Sequence, residues 1–125
     1  MEQSSKRLLS ITGAFEAATG LALLAVPALL VGLLLGVPPG TPTGIAVSRI
    51  AGAALLALGV ACWLARDQTA GRVRGGLVAA MLLYNIAATA ILLLTWMDSG
   101  LSGIAFWPAV FAHGGLAAWC VACLF

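Results

Sequence analysis

The feature that most constrains this chain is a series of apolar stretches, each about as long as a membrane is thick. Polar segments divide the chain into four such blocks, at residues 8–26, 45–65, 77–96 and 104–125. At about 1.5 Å per residue, a helix of this length crosses a hydrocarbon layer of about 30 Å. Apolar residues run on within each block without helical or strand spacing, so a helix there is apolar on every side. Such a helix belongs in lipid or in a large core, and this chain is too short to build a large core.

The composition supports lipid as the surroundings of these blocks. Apolar residues make up 62% of the 125 residues and charged residues only 8%, whereas a soluble domain carries about 25% charged residues. Too few polar side chains remain to cover a water-facing surface. The sequence therefore predicts an all-α integral membrane protein, a single four-helix bundle over residues 1–125.

The segment after the first block is apolar as well, but a proline separates it. Pro27 interrupts the run, and residues 28–36 form a further apolar stretch. Residues 8–36 together are too long for one upright crossing. We predict a kink at Pro27, with residues 28–36 lying along the membrane interface or continuing a tilted first helix. Residues 37–44 are rich in proline, glycine and threonine and predict a loop.

The basic residues predict the orientation in the membrane. Five of the six flank the N-terminus or lie in the loop at residues 66–76, namely Lys6, Arg7, Arg66, Arg72 and Arg74. The two other loops contain no lysine or arginine. By the positive-inside rule, both termini and residues 66–76 are cytoplasmic, and the protein is integral to the cytoplasmic (inner) membrane. Topology and contact with membrane lipid account for the net charge of +2, so no nucleic-acid partner is expected.

The candidate functional residues are those that should not lie in lipid. Each block contains one strongly polar residue, and these are Glu16, Arg49, Asn85 and His113. Counted at about 1.5 Å per residue, Glu16, Asn85 and His113 approach the midplane, whereas Arg49 lies nearer the outer end of its helix. A lone ionised Glu or Arg at this depth costs at least about 2.5 kcal/mol. We therefore predict that the four side chains converge, with a Glu16–Arg49 ion pair at the centre.

Two interpretations of this cluster stay open. In one, Glu16–Arg49 is a structural pair that fixes which helices are neighbours, and each single neutralisation would strand a buried charge. In the other, all four residues bind a ligand or proton, since ionisable residues inside a membrane are functional by default. Small residues share a face with the polar ones and predict close helix contacts there; they include Gly13, Gly20, Gly52, Ala53 and Ala88.

For several other residues, a role in helix packing is expected rather than a functional role. Tyr84 points about 100° away from Asn85 and is expected to lie outside the cluster. Gly114 and Gly115 predict a close helix contact, with room for a ligand as the alternative. The Cys120-x-x-Cys123 pair, with Cys62 near the same end, is expected to pack in the interior rather than to exchange disulfides, because it lies at a helix C-terminus in a reducing compartment. No metal-ligand cluster is recognised.

Three segments carry a resemblance to a known family. Residues 13–24 (GAFEAATGLALL), 48–59 (SRIAGAALLALG) and 107–113 (WPAVFAH) resemble the small four-helix bacterial membrane proteins called DoxX-like, most of which have no assigned function. This resemblance implies a compact four-helix bundle that acts as an accessory subunit of a larger membrane complex.

The leading functional hypothesis is a binding protein. The bundle would hold a hydrophobic or amphiphilic small molecule or lipid, with Glu16, Arg49, Asn85 and His113 orienting its polar end. One alternative is an isomerase- or cyclase-type enzyme in which Glu16 and His113 act as catalytic acid and base on a lipid-soluble substrate. Others are a proton-coupled transporter, which would need a homo-oligomer for alternating access, and a purely structural subunit. The sequence names no cofactor.

Overall fold

The computed structural model describes residues 2–68 and 71–125 and, within them, contains five α-helices and no strand. The helices are α1 (Glu2–Ala25), α2 (Pro27–Leu35), α3 (Pro42–Ala65), α4 (Arg72–Ser99) and α5 (Phe106–Leu124). Four of them, α1, α3, α4 and α5, are long and apolar enough to cross a membrane. The prediction of an all-helical chain with four potential membrane spans is therefore confirmed.

Two of the long helices begin several residues before the apolar blocks. Helix α1 starts at Glu2 rather than near residue 8, and α4 starts at Arg72 rather than near residue 77. Hydropathy marks only the part of a helix that lies in hydrocarbon, so it misses polar first turns; in α1 the Gln, Lys and Arg residues before the block are also good helix formers. The 28 residues of α4 extend about 42 Å, which is longer than a hydrocarbon layer, so its ends reach beyond that layer.

Pro27 ends α1 and begins α2. Val26, between the two helices, has φ −134° and ψ 58°, and Pro27 is the first residue of α2, where its missing N–H is not needed. The helical direction therefore changes at the predicted kink. Gly36 ends α2 with φ 82°, a conformation that favours glycine. The carbonyls of α2 then accept hydrogen bonds from the segment that precedes α5, with Gly103 N–H donating to Leu34 at 2.9 Å.

Glycines hold α1 against α3 in an antiparallel arrangement. A Cβ atom placed on Gly20 would lie 2.6 Å from the carbonyl oxygen of Gly52, and one on Gly59 would lie 2.8 Å from that of Gly13. Neither position has room for a side chain, so the backbones touch directly. The predicted close contact at Gly13, Gly20 and Gly52 is confirmed, and it fixes the height of α3 relative to α1.

The interior has three layers along the long axis of the helices. One apolar layer lies near the start of α1 and comprises Leu8, Leu9, Cys62, Ala65, Val78, Met81 and Cys120. A second lies near the start of α5 and comprises Leu92, Phe106 and Val110, with Leu34 and Leu35 of α2 packed against it. Between the two lies a polar layer of buried Thr12, Glu16, Asn85 and His113.

The outer surface of the long helices is apolar. Ile50, Leu83 and Phe111 are each at least 70% exposed, and a soluble protein would not present so much apolar surface to water. Tryptophans lie near the helix ends: Trp96 packs edge-on against Trp107 at 5.5 Å between ring centroids, and the guanidinium of Arg66 lies 3.9 Å above Trp63. Both features are typical of helices that cross a membrane.

Candidate functional site

The polar layer lies near the middle of the membrane-spanning helices. Counted from the helix bounds, Glu16, Asn85 and His113 each lie within about 4 Å of the midpoint of their own helix. Glu16 and Asn85 are fully buried, and His113 is 8% exposed. Three of the four predicted site residues therefore occupy the same level of the molecule, on three different helices.

Asn85 and His113 are joined directly between α4 and α5. His113 Nδ1 lies 2.8 Å from Asn85 Oδ1, and the amide nitrogen of Asn85 donates to the carbonyl of Met81 at 2.8 Å. Because the amide nitrogen is used in this way, Oδ1 is the acceptor and His113 Nδ1 carries the proton. The Nε2 atom of His113 is then the nitrogen that can accept a hydrogen bond or a proton.

Aromatic rings extend the layer towards α1. The ring of His113 meets Tyr84 edge-on at 5.6 Å and Phe15, the neighbour of Glu16, at 5.8 Å. The Tyr84 hydroxyl also lies near enough to the Glu16 carboxyl group to act as a hydrogen-bonding neighbour, although no hydrogen bond of ordinary geometry joins the two side chains among the described residues. The expectation that Tyr84 lies outside the cluster is wrong. A direction 100° away from Asn85 still leaves a long aromatic side chain able to reach the space between α1 and α5.

The side chains of Glu16 and Thr12 form no hydrogen bond of ordinary geometry within residues 2–68 and 71–125. Both are fully buried, and among the described residues neither carboxylate oxygen of Glu16 nor the hydroxyl of Thr12 has a hydrogen bond. Other helical hydroxyls donate to the carbonyl four residues earlier, as Ser10, Ser48 and Thr89 do. Thr12 and Glu16 lie one turn apart on the same face of α1, so three unsatisfied oxygen atoms lie near each other.

Arg49 is not part of this layer. Its side chain is exposed, and the predicted ion pair with Glu16 is absent among residues 2–68 and 71–125. The glycine contacts explain the difference. Gly13 packs beside Gly59 and Gly20 beside Gly52, so Glu16 is level with about the fifty-sixth residue, and Arg49 lies about 10 Å farther along the axis. Helical side chains lean towards the N-terminus of their own helix, so in antiparallel helices Glu16 and Arg49 lean away from each other.

The paired glycines of α5 do not make a close contact. A Cβ atom on Gly114 or on Gly115 would have nothing within 4 Å. The expected helix contact is therefore wrong, and the alternative of open space fits the structure. Gly114 is partly buried and Gly115 is exposed, so the two glycines leave part of the α5 surface open at the level of the polar layer.

The cysteines lie in the apolar interior near one end. Cys62 and Cys120 are buried members of the first apolar layer, and the sulfur of Cys123 lies 3.6 Å from the hydroxyl of Ser4. All three are free thiols. Within the described residues, no group of three or more His, Cys, Asp or Glu side chains is placed to hold a metal ion.

A second polar cluster lies where the starts of α1 and α4 meet the ends of α3 and α5. Lys6 pairs with Asp67 at 2.6 Å, and Glu2 lies 3.8 Å from Arg74. The hydrogen bond from Lys6 holds the pKa of Asp67 below its usual value of 3.8. Lys6 and Arg74 entered the sequence analysis only as signals of orientation, and the burial of Arg74 was not predicted. Its place in the first turn of α4, beside Val73 and a pair of glycines, was the available signal.

Comparison of the chain with protein-family models, with curated proteins and with solved structures finds no match. The resemblance to DoxX-like proteins therefore stays a prediction. The function of the protein must be inferred from the geometry of the polar layer and of its surroundings.

Proposed function

We propose that this protein is a four-helix membrane bundle that binds a small amphiphilic molecule at the polar layer formed by Thr12, Glu16, Tyr84, Asn85 and His113. The apolar body of the ligand would lie along the helices in the hydrocarbon region. Its polar end would reach Glu16 between α1, α4 and α5.

The observation that carries this proposal is the buried carboxyl group of Glu16, which has the Tyr84 hydroxyl as a neighbour but no hydrogen bond of ordinary geometry among the described residues. A charged carboxylate at this depth costs at least about 2.5 kcal/mol, and a buried polar group without a hydrogen bond costs about 1–3 kcal/mol. A purely structural role would supply a cation, as the sequence led us to expect of Arg49, or well-formed hydrogen bonds to both carboxyl oxygens, whereas the described residues offer only the nearby Tyr84 hydroxyl. Glu16 instead faces an interior where Asn85 and His113 are already bonded to each other.

The chemistry of the layer defines the ligand class. The carboxyl oxygens of Glu16 and Nε2 of His113 accept hydrogen bonds, and the hydroxyls of Thr12 and Tyr84 both donate and accept them. A polar end that carries hydroxyl or amine donors complements this set. The rings of Phe15 and Tyr84 and the open space at Gly114 supply apolar walls and room.

Native mass spectrometry of the protein purified in a mild detergent tests this function. We expect the wild type to retain a bound molecule, and Glu16→Leu to lose it while staying monodisperse. An apolar residue of similar volume removes the buried carboxyl group without opening a cavity, so folding should be preserved. Arg49→Gln is the matched control, because it removes a charge from a membrane-spanning helix outside the polar layer.

Retention of the same molecule by Glu16→Leu would refute the proposed site, and so would its loss from both variants. The alternative function is acid–base catalysis, and it is supported by the position of Tyr84, in contact with His113 and near Glu16. If the protein is such an enzyme, the mass of a bound molecule should change during incubation with the wild type but not with His113→Ala.

The same proposal takes the end that carries Lys6 and Asp67 as the cytoplasmic side of the inner membrane. Five of the six basic residues lie at this end, and the segments around Gly40 and Gly100 contain none. In spheroplasts, and in a variant whose three native cysteines are replaced by alanine, a membrane-impermeant maleimide should label Gly40→Cys and leave Gly71→Cys unlabelled, with both labelled after lysis. The reverse pattern would refute this orientation.

A further inference from the structure

The side chain of Arg74 is buried without strong partners. Arg74 is 7% exposed, and its Nε atom has no hydrogen bond among the described residues. One terminal nitrogen lies 3.5 Å from the carbonyl oxygen of Arg66, and the other lies 3.8 Å from the carboxylate of Glu2. Good hydrogen bonds to a guanidinium are about 2.7–2.9 Å long. An arginine that is always charged is therefore held away from water with only distant contacts.

Arg74 lines a recess that lies outside the polar layer. The recess has a volume of about 330 Å³, which is ample for a phosphate group. Residues that line it include Glu2, Gly71, Arg74, Gly75 and Cys123. Neither glycine presents a side chain that would fill the space, and a Cβ atom on Gly75 would have nothing within 4 Å.

The start of α4 adds a second source of positive potential to this recess. Gly71 precedes the helix and has no side chain to cap it, and no side chain within residues 2–68 and 71–125 forms a cap. The first-turn N–H groups have no capping side chain among these residues, and the helix dipole favours an anion there. The side chains at this end of the molecule are basic overall. Five of them are cations (Lys6, Arg7, Arg66, Arg72, Arg74), and Glu2 and Asp67 are the acids.

From these features we infer that the recess is a binding site for a phosphate group, with Arg74 as its anchor. The guanidinium of Arg74 and the first-turn N–H groups of α4 bind the phosphate oxygens. Glu2 is the competitor, because its exposed carboxylate contacts Arg74 and must move away when the anion binds. The recess lies at the ends of the membrane-spanning helices, so the phosphate can belong to an anionic lipid headgroup or can be free in solution.

Titration of the purified protein in detergent with short-chain phosphatidylglycerol, with inorganic phosphate and with uncharged diacylglycerol tests this site. We expect Arg74→Gln to weaken binding of phosphatidylglycerol by at least about tenfold. Arg72→Gln is the matched control, because it removes the same charge from an exposed side chain in the same helical turn, and it should change the dissociation constant by less than about twofold. Diacylglycerol should not compete.

The two phosphate sources give different results. Binding of phosphatidylglycerol alone, sensitive to Arg74→Gln, assigns the site to a lipid headgroup, and equal sensitivity for inorganic phosphate assigns it to the free anion. Equal effects of Arg74→Gln and Arg72→Gln, or no binding of either compound to the wild type, would overturn the inference. If Arg74→Gln does not fold, Glu2→Gln decides: removal of the competing carboxylate should tighten binding, and an unchanged dissociation constant would overturn the site.

Discussion

Replacement of Gly20 by alanine tests the helix contact that sets the level of every residue in the site. A Cβ atom at Gly20 would lie 2.5 Å from the backbone nitrogen of Leu56 and 2.6 Å from the carbonyl oxygen of Gly52. Ordinary contacts begin near 3.4 Å, so α1 and α3 must separate by about 1 Å. Both contacts are to helical backbone, which cannot rotate away as a side chain can.

The expected cost combines two opposing effects. Overpacking costs about 1–3 kcal/mol, whereas replacement of a helical glycine by alanine returns up to about 1 kcal/mol. Gly20→Ala should therefore lower the free energy of unfolding by about 1–2 kcal/mol. Gly115→Ala is the matched control in a helix of the same protein, because nothing lies within 4 Å of its new Cβ atom. It should be neutral or stabilising.

Reversible unfolding in mixed detergent micelles measures both variants, and a double variant sharpens the test. Gly20 and Gly52 face each other, so a single separation of the helices accommodates both methyl groups. The destabilisation of Gly20→Ala/Gly52→Ala should then be clearly less than the sum of the single effects. Equal stabilities of Gly20→Ala and Gly115→Ala would refute the direct backbone contact between α1 and α3, and so would full additivity of the two single effects.

Three further predictions concern individual polar side chains: Arg49, Asn85 and Asp67. Arg49→Gln should change the free energy of unfolding by less than about 0.5 kcal/mol in the same assay. A loss of about 3–5 kcal/mol would instead indicate that Arg49 forms the buried ion pair with Glu16. Asn85→Leu should cost about 1–2 kcal/mol because it strands the donor of His113, and Asn85→Leu/His113→Leu should recover most of it; no recovery would contradict the paired hydrogen bond. The ion pair with Lys6 lowers the pKa of Asp67 in the folded state, so it stabilises the fold above the usual carboxyl pKa and stops doing so as pH falls through the lower folded pKa. The wild type should therefore be more stable than Asp67→Asn at neutral pH and should lose this advantage on acidification below about pH 4. An advantage that grows on acidification would contradict the prediction.

Much of the fold could be predicted because lipid simplifies the problem. A helix in hydrocarbon is recognised from length and apolarity alone, so the four long helices followed from the blocks. Apolarity does not identify helical residues outside the hydrocarbon layer, so the polar first turns of α1 and α4, which begin at Glu2 and Arg72, were not predicted. Pro27 predicted a change of direction, but its side-chain chemistry does not specify that Leu33 and Leu34 accept hydrogen bonds from the loop before α5.

The depth of each site residue in the membrane could be predicted from the sequence, but the height of one helix relative to its neighbour could not. Counting along each helix placed Glu16, Asn85 and His113 at the same level, and the structure does bring Asn85 to His113. The error at Arg49 arose because the height of one helix against another depends on which glycines meet. Several small residues on each helix allow several registers, and only the observed one places Gly20 against Gly52. Tyr84 was missed because a helical direction alone ignores the length of the side chain.

An experimental density map of the protein purified in a mild detergent would show whether a bound molecule completes the hydrogen bonding of Glu16. We expect density larger than a water molecule within about 3 Å of the Glu16 carboxyl group, extending past Tyr84 towards the open surface at Gly114. A map in which both carboxyl oxygens are bonded only to protein side chains or to water would refute the proposed binding site.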